Sequence, residues 1–438
     1  MKKIFLALLS AVAGIFLLAG CGTNNAGTAT VDADEVNDDV IVIHYPTFQV
    51  GVNTAAAVVA QLVEDFNAEF YGEIQIVLEE VPGDANYFDL IMLQLGTGHL
   101  PPVVYGGGNN LLDPLLAHNQ AVDLTDVIMA DEEWFSLFSE SALEVNSRDG
   151  RIFASSNEGF EIGFYFNKEL FAEAGIEAPA TTWDEFFEHL SLLDAAGITP
   201  LALDTADAAW ITRLWFGAMV ATASEAGLEL MQTMNPTNYS TPEVINALEK
   251  IQTMLQNYTN LDAIGGRFEN ARNNFFSGNA AILANGPWMI GDIFDESNVS
   301  PDFAQNVGVG IFPGGFIYQA PIQGFIVTPQ EDERLEAAAI EMVRFFTSAR
   351  AQQLALEMQG MVPATDAVEV TEEVREAFPL LADYLEATAQ ATSSANHTSA
   401  TMFPNVLDVW SRELPRLYAG DLTPSEFADL LTVAAEQN

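Results

Sequence analysis

The chain has 438 residues, of which 49% are hydrophobic and 10% aromatic, enough apolar material for two packed lobes and too much for a disordered chain. Fifteen Lys and Arg stand against 62 Asp and Glu, a formal charge of −47 at pH 7, so the surface repels phosphate backbones and nucleic acid is excluded as a partner. The shortage of cations disfavours strongly anionic ligands, and an acid-rich surface with lysine only at Lys2, Lys3, Lys168 and Lys250 suits a saline or alkaline habitat, where screening weakens self-repulsion.

Lys2 and Lys3 precede an apolar run from Ile4 to Ala19, followed by Gly20 and Cys21. A basic start, an apolar core and small residues at its end predict a signal peptide over residues 1–20. The run is short of the roughly 20 residues that span a bilayer. Leu18-Ala19-Gly20-Cys21 resembles the bacterial lipobox, which implies that Cys21, the only cysteine, is lipidated and becomes the mature N-terminus. Acyl chains contribute about 0.8 kcal/mol per buried CH₂, so several together hold a protein at a membrane. Residues 21–39, small, polar and acidic, then read as a lipidated tether.

Val40 to Ile43 is an apolar run expected to form a buried first strand, with His44, Tyr45 and Pro46 in a loop at its end. Val58, Leu62, Phe66 and Phe70 recur every fourth residue and predict an amphipathic helix stopped near Gly72. Ile74 to Val81 alternates as a strand, Leu90 to Leu95 reads as helix, and Pro101 to Tyr105 reads as a strand opening into Gly106-Gly107-Gly108-Asn109-Asn110. Strand, helix, strand, helix, strand is the order of an α/β domain with a mostly parallel sheet. The glycine run lacks the Lys and Ser/Thr of a phosphate loop and the Gly-x-Gly-x-x-Gly spacing, so it turns the chain or brings backbone close to a ligand.

Asp149-Gly150 marks a turn, and Phe164 to Phe171 runs from strand into helix. Thr182-Trp183-Asp184-Glu185 is a capping box opening a helix whose stripe, Trp183, Phe186, Phe187, Leu190 and Leu193, is core.

Four motifs together resemble the carbohydrate-uptake solute-binding proteins, the group that includes the maltose-binding protein. They are Tyr165 to Phe171 with Ala174-Gly175, Pro179 and Thr182 to Glu185; Phe275 to Ile282 with Asn285-Gly286-Pro287-Trp288; Val307 to Val309 with Phe312 to Gly315 and Gly324 to Val327; and Ala338 to Phe346 with Ser348, Gln352, Gln353, Gly360 and Pro363. Pro101-Pro102 departs from the family's usual Pro-Asp. The resemblance implies an α/β, two-lobed periplasmic-binding-protein fold of type II, each lobe a mostly parallel sheet flanked by helices, with hinge crossovers. It places the first lobe at 40–155 and 314–363 and the second at 157–312 and 364–438. Hinges would fall near Ser155-Ser156-Asn157, Phe312-Pro313 and Pro363. It also implies a monomer that captures a sugar or oligosaccharide by lobe closure and passes it to the permease subunits of an ABC importer, anchored by Cys21 to the outer face of the cell membrane.

A sugar presents hydroxyls at its rim and apolar C–H faces, so its site needs flat aromatic rings and carboxylate or amide partners. Candidates at predicted strand ends and loops are Tyr45, Asn109 and Asn110 in the first lobe, Glu158 and Glu161 at the crossover, and Trp210, Trp215, Trp288 and Trp410 in the second lobe. Trp288 follows the turn where the resemblance places an aromatic against the ligand. Two carboxylates could alternatively serve a glycosidase, and a two-lobed body could serve a non-sugar solute or a sensor. No Gly-x-Ser-x-Gly or His-Glu-x-x-His motif is present, and His44, His99, His118, His189 and His397 lack metal-ligand spacing. No enzyme, cofactor or metal is expected.

Overall fold

The computed structural model describes residues 40–51, 53–106, 111–321, 324–365 and 367–437. The leader, Cys21, the tether, Asn109 and Asn110 lie outside them. No helix among the described residues is long and apolar enough to cross a membrane.

β1 (Ile41–Thr47) and β2 (Ile74–Glu80) pair in parallel, Thr47 opposite Glu80, with the helix Ala56–Glu69 between them in sequence. That helix buries Val58, Val59, Leu62 and Phe66, the stripe expected from the four-residue spacing, and Phe66 packs on Phe70 and Phe345. β1 is longer than expected and alternates: Val42 and His44 face water while Ile43 and Tyr45 face the core. Its inner face is covered by the helix Glu333–Phe346, whose Phe346 ring meets Tyr45 edge-on at 6.1 Å. His44 pairs with Glu79 across the strands at 2.8 Å. β3 (Val103–Tyr105) follows, then a hairpin of β4 (Ser147–Arg148) and β5 (Arg151–Ile152), and β6 (Ala154–Ser155).

The chain then enters a second sheet built around β7 (Gly159–Asn167). β8 (Ile282–Asn285) runs antiparallel along one edge of it, opposite Gly163 to Phe166. β9 (Val307–Gly310) lies on the other edge opposite Phe164 to Asn167, and β10 (Phe316–Pro321) continues that edge opposite Gly159 to Ile162. After β10 the chain returns to the first group, where β11 (Phe325–Val327) inserts antiparallel between β3 and β6. β12 (Ser393–Ala395) finally pairs in parallel with β10.

These pairings move one expected boundary. Residues 316–321, assigned from the sequence to the first lobe, are hydrogen-bonded into the second sheet. The chain passes back after Pro321 and not at Phe312-Pro313, because Phe312 is core, with its ring 5.0 Å from Trp215 and 5.6 Å from Tyr318.

Local signals decide the second sheet's helices. Asn167 ends β7 and caps the helix Lys168–Glu173 by accepting the Glu169 and Leu170 N–H groups. Thr182 caps the helix Trp183–Ala195, but the Glu185 carboxylate reaches back to Thr181 and not to Thr182, one residue off the expected box. Phe186, Leu190 and Leu193 are fully buried, each stabilising the fold by roughly 1.5–3 kcal/mol.

Three passes of chain link the two sheet groups, and they lie side by side. Residues 156–158 form the first; Glu158 makes a β-bridge to Pro363 in the third. The second, at Gly324, presses so closely on Ser155 and Ser156 that a side chain at 324 would collide with their backbone. Only glycine fits there.

Candidate functional site

The strand ends that meet the three passes gather polar side chains from both groups. On the first side, β1 runs out at Thr47 into Phe48 and Gln49, with Phe48 packed on Tyr87 and Tyr105. Tyr105, the last residue of β3, donates its hydroxyl to Glu158 Oε1 at 2.6 Å, tying that strand end to the first pass. Burial raises the Glu158 pKa, and the Tyr105 hydrogen bond works against that rise. Asp84 opens the helix Asp84–Thr97 just beyond β2. Its side chain is exposed by surface area, although protein atoms crowd close enough to desolvate it in part. That desolvation, followed by the carboxylates of Asp207 and Glu269, pushes its pKa up to about 6. Asp207 and Glu269 belong to the second sheet group, so carboxylates from the two groups confront one another.

On the second side two tryptophans form a pair. β8 ends at Asn285, opposite Gly163 near the crossover end of β7, and Gly286-Pro287 turns the chain into Trp288. Tyr165 donates to Gly286 O at 2.8 Å and Asn285 Oδ1 accepts the Gly286 N–H at 2.8 Å, which fixes the turn. The Trp288 indole folds back over Gly286, where a Cβ would overlap the ring. The following helix, Met289–Phe294, brings Gly291 against Gln359, the last residue of the helix that leads to the third pass. Trp288 and Trp210 stand 5.8 Å apart between ring centroids at 49°, and both are only partly buried.

Trp210 is presented by a strained loop. Asp207 and Ala209 both adopt positive φ, +58° and +43°, before the helix Trp210–Ala221 begins. The buried Asp204 carboxylate holds that helix start, accepting the Ile211 and Thr212 N–H groups at 3.4 and 3.1 Å. Beside it lies Arg213, 1% exposed, whose three nitrogens donate to Thr398 Oγ1, Ala208 O and Ser399 Oγ. Burial raises Asp204 to about 6, although the helix N–H groups and Arg213 oppose it, and burial lowers Arg213 to about 10. His397, next to these partners, lies 4.8 Å from the Phe160 ring at the start of β7. Burial, then Arg213, lowers its pKa to about 3, so the imidazole is neutral, and its Nδ1 has no hydrogen-bond partner among the described residues.

The sequence-predicted residues divide accordingly. Trp210 and Trp288 pair with each other and keep part of their surface free, and Glu158 lies in the first pass. Tyr45, Trp215 and Trp410 do not present a face to a ligand: they are 0%, 0% and 1% exposed. Tyr45 points inward because β1 alternates, and burial raises its hydroxyl pKa. Trp215 sits on a helix buried on all sides from Ile211 to Ala221, stacked 4.8 Å from Phe186. Trp410 packs between Phe216 and Phe427 and donates to Ala209 O. Glu161 lies three positions along from Glu158 and so projects from the opposite face of the extended chain, bonded to Gln319. The two glutamates therefore do not form a facing acid–base pair. Asn109 and Asn110 lie outside the described residues. Sequence reasoning missed Gln49, Asp84, Asn157 and His397; nothing in their local sequence marks them, since each acquires its setting from a distant segment.

A separate concavity of about 640 Å³, lined by residues including Thr199, Asn260, Asp262, Asn274 and Asn279, lies at the other end of β7. It holds none of the expected residues.

The comparisons with known proteins fit this architecture. A family model described as bacterial extracellular solute-binding protein matches residues 61–379. The xylose/arabinose-binding protein XacG of Haloferax volcanii is 28% identical over 211 residues, 48% of this chain and 44% of that protein. The sn-glycerol-3-phosphate-binding periplasmic protein UgpB of Brucella melitensis is 26% identical over 212 residues, 46% of each chain. These matches thus span less than half the length of either curated relative. A solved chitin oligosaccharide binding protein superposes with a TM-score of 0.81 at 24% identity, covering 91% of this chain and 99% of its own, which shows a shared fold.

Proposed function

We propose that this chain, which belongs to the bacterial extracellular solute-binding protein family, captures a sugar or oligosaccharide outside the cytoplasm by lobe closure and delivers it to an ABC importer. The family is one of binding proteins, not enzymes, and the glutamates Glu158 and Glu161 project from opposite faces. The lobes proposed are residues 40–155 with 324–363 and residues 157–321 with 364–438, turning about the three adjacent passes. Signal cleavage before Cys21, lipidation of its sulfur and a monomeric body on an acidic tether complete the reading.

The observation that carries it is the Trp210–Trp288 pair, two partly exposed indoles with ring centroids 5.8 Å apart. Indole faces cover the C–H faces of a sugar ring, while Glu158, Asn157 and Asp84 accept hydroxyl protons. Closure follows because a ligand touching both lobes binds the closed state more tightly; moving a 1:99 equilibrium to 99:1 takes about 10⁴-fold preference. Xylose/arabinose and chitin oligosaccharide binding by similar proteins supports the choice of sugar.

Tryptophan fluorescence titrations with xylose, maltose and diacetylchitobiose test the reading. At least one should change the emission and raise the Tm in a saturable way, and be recovered unmodified. Release of new reducing ends, or no response to any sugar across a broad panel, would refute it.

A further inference from the structure

We infer that three buried side chains, Asn146, Thr347 and Gln352, form one polar clamp by which the first lobe grips all three passes, so that lobe rotation is taken up just beyond it, at Glu158–Gly159. The inference rests on the two-lobed reading above and assigns positioning residues that act through the passes and not through the ligand.

Each pass carries a polar group that the clamp holds. Asn146 ends the helix Glu140–Asn146 and is fully buried. Its Nδ2 donates to Ser156 Oγ in the first pass at 2.7 Å and to Ala142 O at 2.7 Å, while its Oδ1 accepts the Gly324 N–H of the second pass at 3.4 Å. One amide thereby spans two passes, with both its donors and its acceptor engaged. Gln352, 2% exposed, takes the third. Its Oε1 accepts the Ala364 N–H at 2.9 Å, one residue beyond Pro363, and its Nε2 donates to Thr347 O at 3.2 Å. Thr347 supplies the middle link. Its Oγ1 accepts from Ser155 Oγ at 2.9 Å and from Trp134 Nε1 at 3.1 Å, and donates to Val343 O at 2.8 Å. Hydrogen bonds thus run from Gly324 through Asn146 to Ser156, and from its neighbour Ser155 through Thr347 and Gln352 to Ala364. Cutting a link in such a network strands its partners away from water, which holds the passes together as a unit.

The second lobe holds the first pass only from Gly159 onward. Gly159 to Ile162 pair with Tyr318 to Pro321, and the Tyr384 hydroxyl donates to Glu161 O. On the near side Glu158 is tied by Tyr105 and by its bridge to Pro363. The two grips meet between Glu158 and Gly159. A Cβ at Gly159 would lie 3.8 Å from Ala364 Cα and Pro363 O, an ordinary contact, so packing does not demand glycine there. What glycine supplies is freedom in φ and ψ, which a hinge uses.

The test reads amide hydrogen exchange of the full chain without ligand, on peptides covering 153–156 and 361–365. Gln352→Ala removes the contact to the third pass, yet should speed exchange about tenfold over both peptides, the size of one lost buried hydrogen bond passed along the chain. Asn146→Ala should likewise speed exchange over 361–365. Thr205→Val, which breaks buried bonds to Ala263 and Gly265 in the second lobe, should change neither peptide. Exchange that rises only beside each altered residue would show separate anchors and overturn the clamp. Nitroxides carried on p-acetylphenylalanine in place of Thr97 and Ser297, exposed positions on the two lobes, report the spread of interlobe distances. That spread should widen in Asn146→Ala and Gln352→Ala and narrow in Gly159→Ala, since alanine has fewer conformations open to it. No widening overturns the clamp's control of opening, and no narrowing overturns the joint at Glu158–Gly159. Tm tracks folding, and Thr347→Val, which cuts the middle link while keeping the side chain's shape, replaces a clamp variant that does not fold. No sugar enters these measurements, so they and the sugar panel succeed or fail separately.

Discussion

Trp210 and Trp215 lie on one helix and meet different surroundings. Trp215 is enclosed by Phe164, Phe186 and Phe312 and touches no water. Trp210 stands at the helix start, behind a strained loop, with its ring beside Trp288 and part of its surface free. The same side chain packs the core in the middle of an element and keeps free surface at its end; on the proposed reading the first serves packing and the second recognition. What separates the roles is position relative to the strand and helix ends that face the crossover, a feature of topology and not of residue type.

That contrast can be broken by mutation. Trp215→Ala should cost about 3–5 kcal/mol of stability by opening a cavity among the rings, seen as a large drop in Tm or in denaturant midpoint. Trp288→Ala should instead leave stability within about 1 kcal/mol and weaken sugar binding roughly tenfold, through loss of ring stacking. If both variants lose the same stability, the division between packing and recognition fails. Arg213→Met comes next: it leaves Asp204 and its neighbours without their buried cation and should destabilise by about 3 kcal/mol, with partial recovery in Arg213→Met/Asp204→Asn. Chemical denaturation of the pair of variants reads this coupling. Gly286→Ala has a smaller effect on folding, about 1 kcal/mol, but pushes the indole off its seat, so affinity should fall while Trp288 emission shifts red.

The mildest effect is with pH. Asp84, Asp204 and Asp292 have folded pKa values raised to about 6 from an ordinary 3.8. Between those values the folded chain holds protons that the unfolded chain has released, so stability rises as pH falls from about 6 toward 4 and is lost as pH climbs back through that range. Below the ordinary carboxylate range the opposite group takes over, since Asp131, Glu413 and Glu426 have lowered values and lose their partners on protonation. A Tm profile should therefore peak between about pH 4 and 5. A profile still rising above pH 7 would contradict these shifts.

Much of the fold was legible from the chain alone. The stripe ending at Phe66, the Thr182 cap and the order of motifs from Tyr165 to Pro363 each reflect local periodicity or capping, which survive in any tertiary setting. The return point after β10 was not legible, because Phe316–Pro321 reads as a strand in either lobe and only its partners, β7 and β12, decide. Of the proposed site, Trp288 stands behind a turn that the sequence itself announces. Tyr45 was misjudged because a strand was taken to end two residues before it, and in a longer alternating strand position 45 falls on the inner face. Asp84 and His397 depend on charges and rings more than a hundred positions away in sequence, as with Phe160 for His397 and Asp207 for Asp84.

The tight contact of Gly324 on Ser155 and Ser156, beside the Glu158–Pro363 bridge, has a mechanical corollary. If the lobes turn about these passes as proposed, three ribbons bundled that closely would act as one axle, which permits swing and resists sliding or shear. Guests of different outline would then alter little besides the swing angle and how long it is held. On that reading a membrane partner that gauges the angle would receive a single scalar quantity, and discrimination among guests would have to be completed before docking begins.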